Sequence, residues 1–363
     1  MTKYSHRNLI SFGLIAFFVI TLIASMFNPA LCAPAKFKPE FQKGMCYVTL
    51  SKDAFGSAKS DESLKAVKAL GTNWVAIVPN WYQNTCASTD IFPNEKTATD
   101  ESVVHAIQTA HSLGLKVMIK PHLDVLDTSN GDWRGDIACT TEPDWQAWFE
   151  SYKKFALHYA KISQENKVEM FCFGTELVSV STIRENMWED MVIKPIRENY
   201  SGILTYAANW SDEYTHVKFW HLLDYVGIDA YFPLNEEKDR PTFDELKKGW
   251  EVWAKEIEEF QAKVNKPIIF AEVGYCSAQG TAKRPWEDIA GGEVDMSLQA
   301  DCYQAILETF WDKPWFFGLY WWKWGTNINF GGPNNRGFTP QNKTAQKIVA
   351  KWYKKPVSKK ARF

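Results

Sequence analysis

The strongest constraint on this chain is a rhythm. Short, near-continuous apolar runs alternate with polar, helix-patterned stretches: "MCYVTL" precedes "DESLKAVKALG", "NWVAIVP" precedes "DESVVHAIQTAHSLG", and "LKVMIKP" precedes "EPDWQAWFESYKKFALHYAKI". The pattern continues through "VEMFCFGTE", "GILTYAA", "LDYVGIDAYF", "KPIIFAEVGY" and "WFFGLYWWKW", eight runs in all. Runs that are apolar on both faces belong to a parallel sheet covered by helices. Asp, Glu, Ser and Thr stand at the helix starts, and Gly71 and Gly114 fall just past helix ends, as helix termination requires. Eight strand–helix units predict an α/β fold, a single-domain (β/α)₈ TIM barrel. A doubly wound sheet would announce itself with a Gly-rich first turn, and no GxGxxG or P-loop pattern follows any run.

A barrel of this kind carries its chemistry at the C-terminal ends of its strands, so those ends supply the candidates. The second strand ends in Asn80 and Trp81. The third ends in Lys120, His122 and Asp124, which share one face by two-residue alternation. A Gly-rich loop, "NGDWRGD", follows with Trp133 and Arg134, the arginine serving either substrate or a local pair with Asp132 or Asp136. The fifth strand ends in Asn209 and Trp210, the sixth in Asp229 and Tyr231, the eighth in Trp321, Trp322 and Trp324. The chain holds 17 Trp, 14 Tyr and 23 Phe, and aromatic rings at strand ends make flat apolar platforms. Trp322 and Trp324 share a face with Tyr320 by alternation and are expected beneath a ligand, as are Trp81 and Trp210 at the cleft. His122 has no HxH partner, so a ligand hydroxyl contact is expected there rather than a metal.

Two strands end on a carboxylate: the fourth on Glu176 and the seventh on Glu272. A lone buried carboxylate tends to neutralise, and either residue alone reads as a solvated or Lys-paired strand end. Two of them, three barrel units apart and ringed by tryptophans, read differently. Carboxyl groups about 5–5.5 Å apart suit retaining glycoside hydrolysis, one attacking the anomeric carbon and the other protonating the leaving oxygen. Each charge also raises its partner's pKa, which poises one of the pair as an acid.

The stretches "GTNWVAIVPNWYQ", "GLKVMIKPHLD" with "GDWRGDI", "FGTEL", "FAEVGY" and "GLYWWKW" together resemble glycoside hydrolase family 113, in clan A of the glycoside hydrolases. The resemblance covers roughly residues 43–353. It implies a β-mannan-degrading enzyme in which Glu176 is the acid/base, Glu272 the nucleophile, and Tyr231 a hydrogen-bond donor to that nucleophile. One position departs from the clan pattern. Where many members carry Asn just before the acid/base, contacting the sugar 2-hydroxyl, this chain has Thr175.

The remaining composition excludes other classes. The formal net charge is −2 with no basic block, which argues against a nucleic-acid partner. Seven histidines without ligand spacing disfavour a metal-dependent barrel hydrolase, and no cofactor is called for. The expected protein is a monomer acting on a polysaccharide or oligosaccharide, most simply an endo-acting β-1,4-mannanase. A β-mannosidase, another β-glycan hydrolase and a catalytically silent carbohydrate-binding barrel are the alternatives. Residues 1–32 read as a signal peptide or an N-terminal membrane anchor: two basic groups lie in "MTKYSHR", an uncharged apolar run follows, and "NPALCAPA" offers a cleavage site. Residues 33–363 then form the catalytic domain, and the location is secreted, periplasmic, extracellular or membrane-anchored. Loss of Cys32 leaves six cysteines, and Cys86 with Cys139, both in polar stretches after strands, is the expected disulfide.

Overall fold

The computed structural model describes residues 38–288 and 292–357. The N-terminal segment read as a signal or anchor lies outside them. Among the described residues no helix is long and apolar enough to cross a membrane.

Ten strands form: β1 (Gln42–Val48), β2 (Trp74–Val78), β3 (Asn80–Gln83), β4 (Lys116–Ile119), β5 (His122–Val125), β6 (Met170–Thr175), β7 (Ile203–Asn209), β8 (Val226–Asp229), β9 (Ile268–Val273) and β10 (Phe316–Gly325). Eight of them close a parallel barrel in the order β1-β10-β9-β8-β7-β6-β4-β2. The protein is a (β/α)₈ barrel, as the eight-unit rhythm predicts. The second and third predicted strands each split in two, because Pro79 and Pro121 cannot donate to the ladder. Beyond the prolines, β3 and β5 continue as a small parallel pair in which Asn80 opposes His122 and Tyr82 opposes Asp124. That pair extends the cleft wall above the barrel mouth.

Helices start where the caps indicated. The hydroxyls of Thr99, Thr141 and Thr242 each accept an amide of the first turn, opening the helices Asp100–Ser112, Glu142–Glu165 and Phe243–Val264. The helical region after β6 is broken, with the short segments Val178–Ser181 and Glu185–Met187 followed by a π-helical turn over Trp188–Ile193 and then Lys194–Asn199. Pro195 explains the widened turn, since its ring excludes the carbonyl four residues back.

Two apolar layers hold the barrel. Alternating strand residues such as Cys46, Met118, Cys172, Ala271 and Tyr320 fill its interior. The other faces pack on the helices, with Trp148, Trp188, Trp250 and Trp321 fully buried between. Strand β10 breaks the alternation. Against β1 its register runs Met45↔Trp321 and then Tyr47↔Trp324, so β10 carries one extra residue, a bulge that reverses the facing of everything after it. Trp322 therefore stays with Tyr320 on the interior side, whereas Trp324 joins Trp321 in the outer layer, where its Nε1 donates to Ser63 Oγ at 2.9 Å. The expectation that Trp324 contacts ligand is overturned by that single residue. The expected Cys86–Cys139 disulfide is also absent. The two segments adjoin, with the Ala138 amide donating to the Cys86 carbonyl at 3.1 Å, but both thiols are free and Cys86 Sγ turns to the Trp133 carbonyl at 3.4 Å.

Because Trp324 is buried in the outer layer, Trp324→Ala is expected to cost about 3–5 kcal/mol of stability, read as a lowered urea midpoint. A cleft residue at that position would instead change ligand binding with little effect on the midpoint.

Candidate active site

The two carboxylates predicted at strand ends come to one cleft. Glu272 is the penultimate residue of β9, and Glu176 follows β6 directly. Both line a cavity of about 530 Å³ with Trp133, Arg134, Asn209, Trp210, Tyr231 and Trp322. A second cavity of about 470 Å³, lined by Asn80, His122, Asp124 and Phe330, shares Arg134 and Trp322 with the first. The two are halves of one groove across the barrel mouth.

Glu272 is 3% exposed and densely bonded. The Tyr231 hydroxyl donates to its Oε2 at 2.7 Å, the Lys120 ammonium contacts Oε1, and His122 Nε2 stands 3.2 Å from the same oxygen. Met118 faces the barrel interior, so Lys120, two residues on, reaches the same space. Burial alone would raise the Glu272 pKa, but Lys120 and His122 overcome it and hold the carboxyl well below the usual range. Lys120 is itself fully buried. Burial would discharge it, and the Asp229 and Glu272 charges keep it protonated. Asp229 lies 3.9 Å from Lys120, and neither of its oxygens accepts a hydrogen bond. Burial, with Glu272 adding, pushes Asp229 far above the carboxylate range despite Lys120. One cation thus faces two acids whose carboxyls shift in opposite directions, Glu272 down and Asp229 up. His122 is lowered to about 4 by burial, Lys120 and Arg134, and is neutral at pH 7.

Glu176 has a different surrounding. Asn209 Nδ2 donates to its Oε1 at 2.8 Å, and Arg134 Nη1 to its Oε2 at 3.3 Å. Burial raises its pKa, Arg134 opposes, and the Glu272 charge adds to the rise. The backbone here is left-handed, with φ of 51° at Glu176, a conformation that a side chain such as Glu adopts only when its surroundings enforce it. Gly174 makes room for the enforcing groups, since a Cβ there would sit 2.6 Å from the Tyr206 ring and 2.8 Å from the Tyr152 hydroxyl.

The other candidates divide. Asp124 accepts from Asn80 Nδ2 at 2.6 Å and pairs with Arg134, whose Nε also donates to the Leu123 carbonyl at 3.2 Å. Arg134 therefore bridges Asp124 and Glu176 rather than pairing with Asp132 or Asp136; Asp136 instead accepts the Trp133 amide at 3.1 Å. His122 lines the groove, but its Nε2 is occupied by Lys120 at 3.0 Å and Glu272, and its ring stacks on Trp322 at 5.6 Å. Through that nitrogen His122 supports Glu272. Trp81 turns away to pack on Phe155, His158 and Tyr159 of the helix Glu142–Glu165, because β3 leaves the barrel after Pro79 and leans on that helix. Trp210 and Trp133 do line the cleft.

Sequence reasoning placed Lys120 at a strand end beside His122 and Asp124 but gave it no role, and it overlooked two cleft residues. Trp286 stacks on Trp210 at 5.1 Å and 21°, and a tryptophan in the polar loop after the seventh strand was there to be weighed. Phe338 meets Tyr231 edge-on at 6.0 Å and had no local signal. Among the described residues no group of three or more His, Cys, Asp and Glu could hold a metal ion.

With this geometry in view, comparisons with known proteins are specific. The sequence profile of Glycoside Hydrolase Family 113 matches residues 45–343. The chain belongs to that family and is a glycoside hydrolase acting on carbohydrate. A structure described as a GH113 β-1,4-mannanase superposes with a TM-score of 0.78 at 29% identity, covering 87% of this chain and 100% of the other. The β-mannanase AaManA from Alicyclobacillus acidocaldarius superposes at 0.77 with 28% identity, over 88% and 99% of the two chains. The β-glucuronidase of Ruminococcus gnavus shares the fold alone, at 0.57 and 12% identity over half its length. A comparison with curated protein sequences found no match.

Since the Lys120 charge depresses Glu272, Lys120→Met should let the Glu272 pKa rise, moving the acidic limb of kcat/KM to higher pH. An acidic limb unchanged from the parent enzyme would show that Lys120 does not set this ionisation. Loss of one partner from a buried pair should also cost about 3–5 kcal/mol of stability.

Proposed function

We propose that this family 113 hydrolase is an exported, monomeric, endo-acting β-1,4-mannanase that retains anomeric configuration, with Glu272 as nucleophile and Glu176 as acid/base. The observation that carries the assignment is the asymmetry between the two carboxyls. Glu272 is held as an anion by Lys120 and Tyr231, the form a nucleophile needs. Glu176 is pushed up by burial and by the Glu272 charge, which favours a proton to donate. Once a glycosyl ester forms on Glu272 its charge is lost, the push on Glu176 weakens, and the same residue can then deprotonate water. The double groove, joined at Arg134 and Trp322, is open to a chain on both sides of the carboxyls and favours endo action. The mannan preference is supported by the β-mannanase relatives, and export by the first 32 residues of the sequence.

The roles separate chemically. Glu272→Ala should abolish turnover, and added azide should enter the vacated face to give a glycosyl azide of inverted configuration. Glu176→Ala should lose about 10²–10⁴ in rate on natural mannan oligosaccharides, whose leaving alcohols need a proton. It should lose far less in the first step on a dinitrophenyl β-mannobioside, and azide should rescue it with retained configuration. NMR of the products decides: reversed configurations exchange the roles, and full activity in either variant removes the proposal. A parallel screen of mannan, glucan, xylan and chitosan tests the substrate class, with release from mannan alone expected.

A further inference from the structure

We infer that buried Glu213 is a positioning residue that sets the placement of Glu176 from both of its sides, a role that rests on reading Glu176 as the acid/base. Glu213 lies beyond β7 and is 1% exposed. It lines neither half of the groove, and its three partners are neutral donors: the hydroxyls of Ser181 and Tyr206 on Oε1 and the Asn209 amide on Oε2, each at 2.6 Å.

Two of those partners lead to Glu176. On one side, the Tyr206 hydroxyl that donates to Glu213 accepts the amide of Leu177 at 2.9 Å, the peptide immediately after Glu176. That bond fixes the exit of the left-handed residue. On the other side, the Asn209 amide is held by Glu213 while Asn209 Oδ1 accepts from the Ser211 amide at 2.9 Å and the Ser211 hydroxyl at 2.8 Å. With its oxygen so occupied, the Asn209 side chain must present Nδ2 to Glu176 Oε1. A single carboxylate therefore holds both the tyrosine hydroxyl that fixes the backbone corner after Glu176 and the main-chain N–H of Asn209, whose side-chain amide meets the Glu176 head group.

The chemistry calls for an acceptor at position 213. Three donors converge on two oxygens, an arrangement that suits a carboxylate, which accepts on both oxygens and has no proton to place among them. Burial pushes the Glu213 carboxyl up to about 7, its hydrogen bonds oppose the rise, and the Glu176 charge adds to it. Glu213→Gln keeps the shape but turns an NH₂ toward either the Asn209 main-chain N–H, which then loses its acceptor, or the two hydroxyls, which must then reverse from donating to accepting, so at least one link toward Glu176 is altered. Misplacement of a catalytic group by about 1 Å can cost roughly 10²-fold in rate.

The test compares leaving groups. Glu213→Gln should lower kcat/KM on mannan oligosaccharides by about 10²-fold with KM little changed. On dinitrophenyl β-mannobioside, whose first step needs no proton, kcat/KM should stay within about threefold of the parent. Tyr206→Phe, which removes only the hydroxyl between Glu213 and the Leu177 amide, should show the same dependence in weaker form and decides the matter if Glu213→Gln does not fold. Equal losses on both substrates, or no loss, in a folded variant would overturn the role while Glu176→Ala still discriminates between leaving groups. If Glu176→Ala itself fails to discriminate, the acid/base assignment falls and the positioning role with it.

Discussion

The site depends on one buried cation. Lys120 has no exposure, and stripping an ammonium of water costs several kcal/mol unless partners repay it. Glu272 and Asp229 are the only carboxylates that pair with it among the described residues. Against burial, Glu272 is pulled down by Lys120 and His122, and it also accepts a hydrogen bond from Tyr231. Asp229 receives no hydrogen bond on either oxygen, and burial pushes its carboxyl up despite Lys120. The ends of β4, β8 and β9 are thereby tied across the barrel mouth by one electrostatic arrangement. Burial, with Lys120 and Arg134, lowers the His122 pKa to about 4, and its ring lies flat against Trp322.

Glu176 is managed by geometry more than by charge. Its nearest cation, Arg134, is shared with Asp124 and approaches Glu176 only to 3.3 Å. A strained backbone, a glycine that admits two tyrosines beneath it and an amide locked in one orientation do the rest. The contrast is economical in chemical terms. Two glutamates of the same intrinsic acidity are separated by surroundings alone, one beside an ammonium and the other beside an amide, a guanidinium shared with Asp124 and the first one's charge. Arg134 also links the loop after β5 to the end of β6, so the wall of the second cavity and the carboxyl in the first share a side chain.

Much of this was legible without coordinates. Near-continuous apolar runs and helix caps are local properties, and eight strand–helix units in alternation leave few architectures besides a closed barrel. Once the barrel is accepted, counting strands puts Glu176, Glu272, Tyr231, Asn209 and Trp210 around one opening. Trp286 and Lys120 carried signals that could have been weighed: a tryptophan in a loop at the mouth, and a lysine ending an apolar strand. Trp81 and Trp324 failed for a common reason. Alternation predicts facing only while the strand stays regular, and Pro79 ends one strand while the extra residue in β10 reverses the other.

What the sequence by itself determined is the order of elements and the residue types delivered to the barrel mouth, because periodicity, capping and chain breaks act over a few residues. Tertiary structure decided which acid the buried cation pulls down, which tryptophan faces the groove, that Cys86 and Cys139 remain separate thiols, and that Glu213 is linked through Tyr206 and Asn209 to Glu176. Each of these turns on distances between segments far apart in the chain. A cation chooses between carboxylates by hydrogen bonds and burial that distant strands supply, and a thiol pairs only where two backbones bring its partner into bonding geometry.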